Sequence, residues 1–167
     1  MQGLSESSLP ALIDLFKRLS EAHVHLKGFC YGDDTDLRLW SVRHEAEYPM
    51  LFVEMPDESF SGRNVQSVYE FGFAVLYRVG QLDAGSVFAS RALSEAYAVA
   101  QEIIHDILAR LRDMYRDGAL GFDITDAKLQ PVSTSKTADR AIGFRAGIRL
   151  EYQAGLCLDK AKWADLD

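Results

Sequence analysis

The sequence predicts a single α+β domain in which a largely antiparallel sheet packs on one long helix, with an amphipathic helix at the N-terminus. Apolar side chains form one continuous helical stripe from about residue 90 to 116. Residues 69–79 and 142–152 alternate between two kinds of side chain, which is typical of strands. The strands are mostly neighbours in sequence and short loops join them, which favours antiparallel pairing.

Composition favours a globular protein in one piece. A chain of 167 residues lies within the usual size of one domain, so residues 1–167 are predicted to form a single domain. The net charge of -7 argues against general or sequence-specific nucleic-acid binding. No apolar run is long enough for a membrane span, and the first residues do not resemble a signal peptide, so we expect no membrane association and a cytosolic protein. Cys30 and Cys157 are isolated, which favours reduced thiols.

The first half of the chain predicts one helix and several strands. A serine cap at Ser7 or Ser8 precedes Pro10, and apolar residues then recur at helical spacing. "HVHLKGFCYG" and "TDLRLWSVRH" are predicted to be strands joined by a Gly-Asp-Asp turn. "MLFV", between Pro49 and Pro56, predicts a short buried strand. "SFSGRNVQ" is predicted to be a polar loop that leads into a long aromatic strand.

The second half contains the long helix and two more strands. Gly118 is predicted to end the helix, and a strand follows from about Phe122 to Val132. The polar loop 133–140 then leads into the last strand. Beyond it, a C-terminal arm is predicted from about residue 155, as a turn followed by a short helix or an extended segment.

No catalytic signature is present. The chain lacks GxSxG, GxxxxGK[ST], HExxH and GxGxxG, so no catalytic residue, metal or cofactor is predicted. His23 and His25 would share one side of a strand and could bind a metal, but no third metal ligand lies at a spacing typical of a metal site. The aspartates of "GDDTD" and "DITD" are explained by turn chemistry. The alternative function is a small enzyme or ligand-binding domain, with a pocket between sheet and helix that uses these His or Asp residues.

The last strand suggests a partner interface. Its second face consists of glycine and charged residues, and glycine within a strand commonly marks a site where another backbone approaches closely. Long strands also leave edges, which pairing with other copies of the chain would satisfy. The predicted interface residues are Lys136 and Arg140 in the loop, and Gly143, Arg145, Gly147, Arg149 and Glu151 on the strand.

The order of elements resembles that of the tail terminator, or tail completion, proteins of tailed bacteriophages. The resemblance covers nearly the whole chain in layout, and "YPMLFVEMP" and "AIGFRAGIRLEYQ" are the segments most similar to the family's strands. Two regions depart from the smaller family members, "GFCYGDDTDLRLWSVRHE" and "DKAKWADLD". The family has no catalytic residues to carry over to this chain.

The resemblance implies a structural protein that forms a homo-oligomeric ring, typically a hexamer, in the tail or neck of a virion. Such a ring stops growth of the tail tube and joins the tail to the head-neck connector, so the implied partners are a tail tube protein and a connector protein. Assembly would take place in the host cytoplasm. A related neck, tube-end or injection-system cap protein would show the same layout.

Overall fold

The computed structural model describes residues 8–43, 47–61, 66–78, 87–134 and 141–153, and the α+β class is confirmed. The described helices are α1 (Leu9–Ala22), α2 (Asp34–Arg43) and α3 (Val87–Arg116). The described strands are β1 (Gly28–Gly32), β2 (Met50–Glu54), β3 (Asp57–Ser61), β4 (Gln66–Arg78), β5 (Phe122–Thr134) and β6 (Ala141–Gln153). None of these helices is long and apolar enough to cross a bilayer.

The strands form one sheet in the order β1-β2-β4-β6-β5, and β3 also pairs with β4. Only the β1–β2 pair is parallel among the described pairs, so the prediction of a largely antiparallel sheet is confirmed. β4 and β6 pair along their full length, from Gln66 opposite Gln153 to Arg78 opposite Ala141. This long central pair fixes which residues of β6 face each side of the sheet.

Helices α1 and α3 cover the first face of the sheet. Ser8 caps α1, because its hydroxyl accepts a hydrogen bond from the Ala11 N–H, and Pro10 lies in the first turn as predicted. α3 spans 30 residues, about 45 Å, and packs on β4, β5 and β6. The core between the layers includes Phe16 of α1, Ile103, Ile104 and Ile107 of α3, and Phe73 and Leu150 of the sheet.

Gly118 ends α3 as predicted. Its φ of 72° is a left-handed conformation that glycine adopts without a Cβ penalty. The Gly118 N–H donates to the Tyr115 carbonyl at 3.0 Å, and the Ala119 N–H donates to the Met114 carbonyl at 2.8 Å. This pair of bonds is the Schellman arrangement, which satisfies carbonyls at the end of the helix.

The prediction of a strand in "TDLRLWSVRH" is wrong, because residues Asp34–Arg43 form α2. Asp33 caps this helix: its carboxylate accepts hydrogen bonds from the N–H groups of Thr35 at 2.7 Å and Asp36 at 3.1 Å. The Asp36 carboxylate in turn accepts from the Asp33 N–H at 3.0 Å, which completes a reciprocal capping box. The aspartates of "GDDTD" therefore start a helix, whereas Asp123 and Asp126 of "DITD" lie in β5, so the turn interpretation is wrong for both segments. The hydrogen bonds from the N–H groups of Asp36 and Thr35 lower the pKa of Asp33.

The loop predicted over "SFSGRNVQ" is also partly wrong. Pro56 does end β2, but the chain resumes as β3 at Asp57 and pairs with the first part of β4, from Glu70 to Gln66. β2 pairs with the second part of the same strand, from Phe73 to Leu76. β2 and β3 therefore lie along the same side of β4. The rest of that predicted loop, the later part of loop 133–140 and the C-terminal arm fall outside the described residues.

Candidate partner-binding surface

The second face of the sheet has two halves with different surroundings. In the covered half, α2 packs Leu37 and Trp40 over apolar sheet residues, namely Met50, Phe52, Ala74, Leu76 and Ala141. The open half comprises the residues that continue the same alternation along the strands, namely Glu54, Glu70, Gly72, Arg145, Gly147, Arg149 and Glu151. Within the described ranges, no helix packs on the open half.

Arg145 and Glu54 form the central ion pair of the open half. The Arg145 side chain lies on β6 and reaches across β4 to Glu54 at the end of β2, where Nε and one terminal nitrogen each donate to a carboxylate oxygen at 2.5 Å. The side chains of Arg145 and Glu54 are 28% and 35% exposed. Hydrogen bonding to Glu54 raises the pKa of Arg145. This two-point geometry fixes the direction of both side chains.

Contacts within the chain itself explain why the second face carries glycines. A Cβ on Gly72 would overlap the Arg145 guanidinium, and one on Gly147 would lie 3.2 Å from an Arg145 terminal nitrogen. A Cβ on Gly143, in the covered half, would overlap the Val75 carbonyl of β4. The pattern of glycine and arginine in β6 therefore reflects side-chain and backbone packing inside one chain. Glycine alone is not a sign of a docked partner here.

Arg149 lies further along β6, close to the carboxylates of Glu70 on β4 and Glu151 on β6. One terminal nitrogen is 3.1 Å from Glu151, and Nε is 3.7 Å from Glu70. Nε is buried and has no hydrogen-bond partner among the described residues, although the side chain as a whole is 43% exposed. The Thr125 hydroxyl donates to the Arg149 carbonyl at 3.3 Å, at the point where β5 carries a bulge.

A shallow groove of about 470 Å³ runs through the open half. Its charged lining consists of Glu54, Asp57, Glu70 and Asp126 as acids and Lys128, Arg145 and Arg149 as bases. Ion pairs within the chain engage Arg145 and Arg149, whereas Lys128 forms no ion pair with any residue that the structure describes. Side chains of both charge signs line the groove, an arrangement that a protein surface with the complementary charges can match.

The predicted interface residues separate into three groups. Arg145, Gly147, Arg149 and Glu151 lie together in the open half, while Gly143 is buried in the covered half, opposite Leu76 of β4. Lys136 and Arg140 fall outside the described residues. The interface itself stays a prediction.

Sequence reasoning placed Glu70 on the outward face of the long aromatic strand, but it missed Glu54 and Lys128 as parts of this surface. The alternation of "MLFVE" could have placed Glu54 on the second face. Its pairing with Arg145, 91 residues away, depends on strand order.

The prediction that His23 and His25 share one side of a strand is wrong, because neither residue lies in a strand. His23 caps the end of α1, and its Nε2 lies 3.5 Å from an Asp106 carboxylate oxygen on α3, while its Nδ1 accepts from the His25 N–H at 3.3 Å. Within residues 8–43, 47–61, 66–78, 87–134 and 141–153, no three His, Cys, Asp or Glu side chains are grouped to hold a metal. Burial, with a contribution from Asp36, raises the pKa of the Cys30 thiol to about 12.

A smaller cavity of about 280 Å³ lies where α1 meets the end of α3 and the start of β5. Its lining is apolar apart from Arg18, and it includes Leu12, Leu15, Met114 and Phe122. Among the residues that the structure describes, no histidine or aspartate lines this cavity.

Comparisons with family models, with curated proteins and with solved structures give no match to this chain.

Proposed function

We propose that this protein is a structural assembly component of a phage tail or tail-like particle, and that it forms a ring which terminates the tail tube and joins it to the head-neck connector. The open half of the second face is the observation that carries this proposal. It is a charged surface with a groove, and no described element covers it. A partner chain would remove this surface from solvent.

The order of elements supports the same proposal. An amphipathic helix, a proline-bounded strand, a long aromatic strand, a long helix and a final strand pair follow one another in the structure as α1, β2, β4, α3, β5 and β6. This is the layout on which the resemblance to tail terminator proteins was based. The additional elements are β1, α2 and β3, and α2 is the helix that divides the second face into its halves.

The mechanism is geometric and needs no chemical step. A contact between two different surfaces of the same chain, repeated around an axis, closes into a ring. Burial of apolar and backbone groups would provide affinity, while the charges of the open half would select the partner and its orientation. The net charge of -7 would also disfavour adhesion of the ring to DNA that passes through it.

The test is a charge reversal in the open half with a matched reversal elsewhere. Lys128→Glu with Arg149→Glu changes two cations of the groove, and Arg110→Glu with Arg112→Glu makes the same change on the exposed side of α3. We expect native mass spectrometry and negative-stain electron microscopy to show rings for the unmodified chain and the α3 variant, and monomers for the groove variant. Circular dichroism must show that all three proteins fold.

Two results would contradict the proposal. The first is an unmodified chain that stays monomeric both alone and when mixed with polymerised tail tube protein. The second is a groove variant that folds and assembles as well as the α3 variant, since the open half would then play no part in assembly.

A further inference from the structure

The cavity between α1, the end of α3 and the start of β5 has an apolar bottom and an open mouth. Leu12, Leu15 and Phe122 line it and are buried, so they form the bottom. Ala119 and Gly121 line it too but are exposed, so they lie at the mouth. Buried apolar walls beneath an opening to solvent are typical of sites that take up the apolar part of a ligand.

The size and shape of the cavity indicate a small, elongated ligand. Its volume is about 280 Å³, and an apolar cavity of about 150 Å³ already takes up benzene. The lining residues of α1 extend from Ala11 to Arg18, a rise of about 10 Å along the helix. A chain of roughly eight carbon atoms therefore suits this space better than a compact ring.

Among the described residues, Arg18 is the one charged side chain of this lining. Its side chain is 66% exposed, and its Nε lies 3.0 Å from a carboxylate oxygen of Asp14, one turn earlier in α1. Exposed pairs of this kind contribute little in water, so a carboxylate at the mouth can compete with Asp14 for the guanidinium. The site therefore combines an apolar interior with a cation at its opening.

We propose that this cavity binds a medium-chain fatty acid, with the alkyl chain against Leu12, Leu15 and Phe122 and the carboxylate at Arg18. The apolar interior selects the chain, and the guanidinium selects an acid over an alcohol of the same length. The inference goes beyond the proposed ring and does not depend on it. The cavity lies on the helix-covered face of the sheet, whereas the groove lies on the second face.

A series of fatty acids of increasing length tests the size of the site in the full chain. Each CH₂ group that leaves water should tighten binding roughly fourfold, so octanoate should bind roughly fifteenfold more tightly than hexanoate. Once the cavity is full, the step from decanoate to dodecanoate should change the affinity by less than about twofold. Isothermal titration calorimetry below the critical micelle concentration measures the series. An affinity that rises by the same factor at every step would show adsorption to an open surface and would overturn the inference.

Methionine methyl groups report where the ligand binds. Met114 lines the cavity, Met55 lines the groove of the second face, and Met50 is buried in the covered half. With isotope-labelled methionine methyl groups, octanoate should shift the NMR signal of Met114 and leave the other two unchanged. A shift at Met55 alone would place the ligand in the groove and contradict the inference. A Met114 signal that responds to protein concentration and not to octanoate would assign the cavity to a second copy of the chain, which would contradict it as well.

Two variants fill the cavity from different sides. Ala11→Leu on α1 and Ala119→Leu at the mouth should each weaken octanoate binding roughly tenfold, because the added side chain occupies the space of the ligand. Ala109→Leu is the matched control, since Ala109 is exposed on α3 and does not line the cavity, and it should bind octanoate normally. Circular dichroism checks folding, and either filling variant that folds decides the question. Unchanged affinity in such a variant would rule the cavity out as the site.

The charge at the mouth has its own test. Arg18→Gln should weaken octanoate binding roughly fivefold and leave octanol binding unchanged, because only the acid uses the guanidinium. An equal loss for the acid and the alcohol would show that Arg18 shapes the cavity and does not bind a carboxylate, which would overturn the assignment of the ligand. None of these measurements requires assembly, so the proposed ring stands or falls separately.

Discussion

The two halves of the second face differ in what fills the space above the sheet, and the difference explains the glycines of β6. In the covered half, Gly143 lies against the backbone of β4, at the Val75 carbonyl. In the open half, Gly72 and Gly147 lie beside the Arg145 guanidinium. A carbonyl belongs to a paired strand and cannot move by itself, whereas a long side chain can swing away. We therefore expect replacement of a glycine to be more destabilising in the covered half than in the open half.

The largest effect is expected from Gly143→Ala. The new methyl group would overlap the Val75 carbonyl, and relief requires that β4 and β6 separate. We expect the free energy of unfolding to fall by about 3 kcal/mol, measured by urea denaturation. A loss below about 1 kcal/mol would show that β4 and β6 separate at little energetic cost, and that the two halves do not differ in the way inferred here.

The second largest loss of stability is expected from truncating Trp40, the side chain with which α2 covers the sheet. Trp40 packs against the covered half and contacts Tyr48 edge to face, with ring centroids 5.8 Å apart. We expect Trp40→Ala to lower the free energy of unfolding by about 2 kcal/mol, less than for a fully buried tryptophan. Leu39→Ala is the matched control, because Leu39 lies on the same helix and is half exposed; its effect should stay within about 0.5 kcal/mol. Equal losses for the two variants would mean that α2 does not act as a cover.

A coupled pair of substitutions sharpens the comparison in the open half. Gly72→Ala should cost about 1 kcal/mol, because the new methyl group would displace Arg145 from Glu54. In an Arg145→Ala background the same change should cost nothing, since the obstructing side chain is gone. A double-mutant cycle from urea denaturation measures this coupling. If Gly72→Ala were equally costly in both backgrounds, Arg145 would not be the reason for the glycine.

The smallest effect is expected at Arg149. Its side chain is 43% exposed and its ion pairs with Glu70 and Glu151 lie near the surface. Arg149→Gln should therefore change the free energy of unfolding by less than about 0.5 kcal/mol, because solvent screens such pairs. Thermal unfolding at low and high salt is the measurement. A loss above about 1.5 kcal/mol would assign Arg149 a structural role and weaken its use as a probe of assembly.

Patterns within short stretches of sequence predicted most elements correctly. The Ser8 cap, the end of α3 at Gly118 and the alternation of β4 and β6 all appear in the structure. α2 was missed because its apolar residues do not form a single stripe: Leu37 faces the sheet, while Leu39 and Val42 are exposed. The capping box of Asp33 and Asp36 was the signal that could have identified it.

The sequence by itself determined the periodicity of each strand, the caps of the helices and the acidic balance, since these depend on residues close together in the chain or on composition. Only the tertiary structure decided that Arg145 meets Glu54, that Gly143 lies against Val75 and that α2 covers half of the second face. These contacts join segments far apart in the chain. They exist because strand order and register bring those segments together, and no local pattern encodes that order.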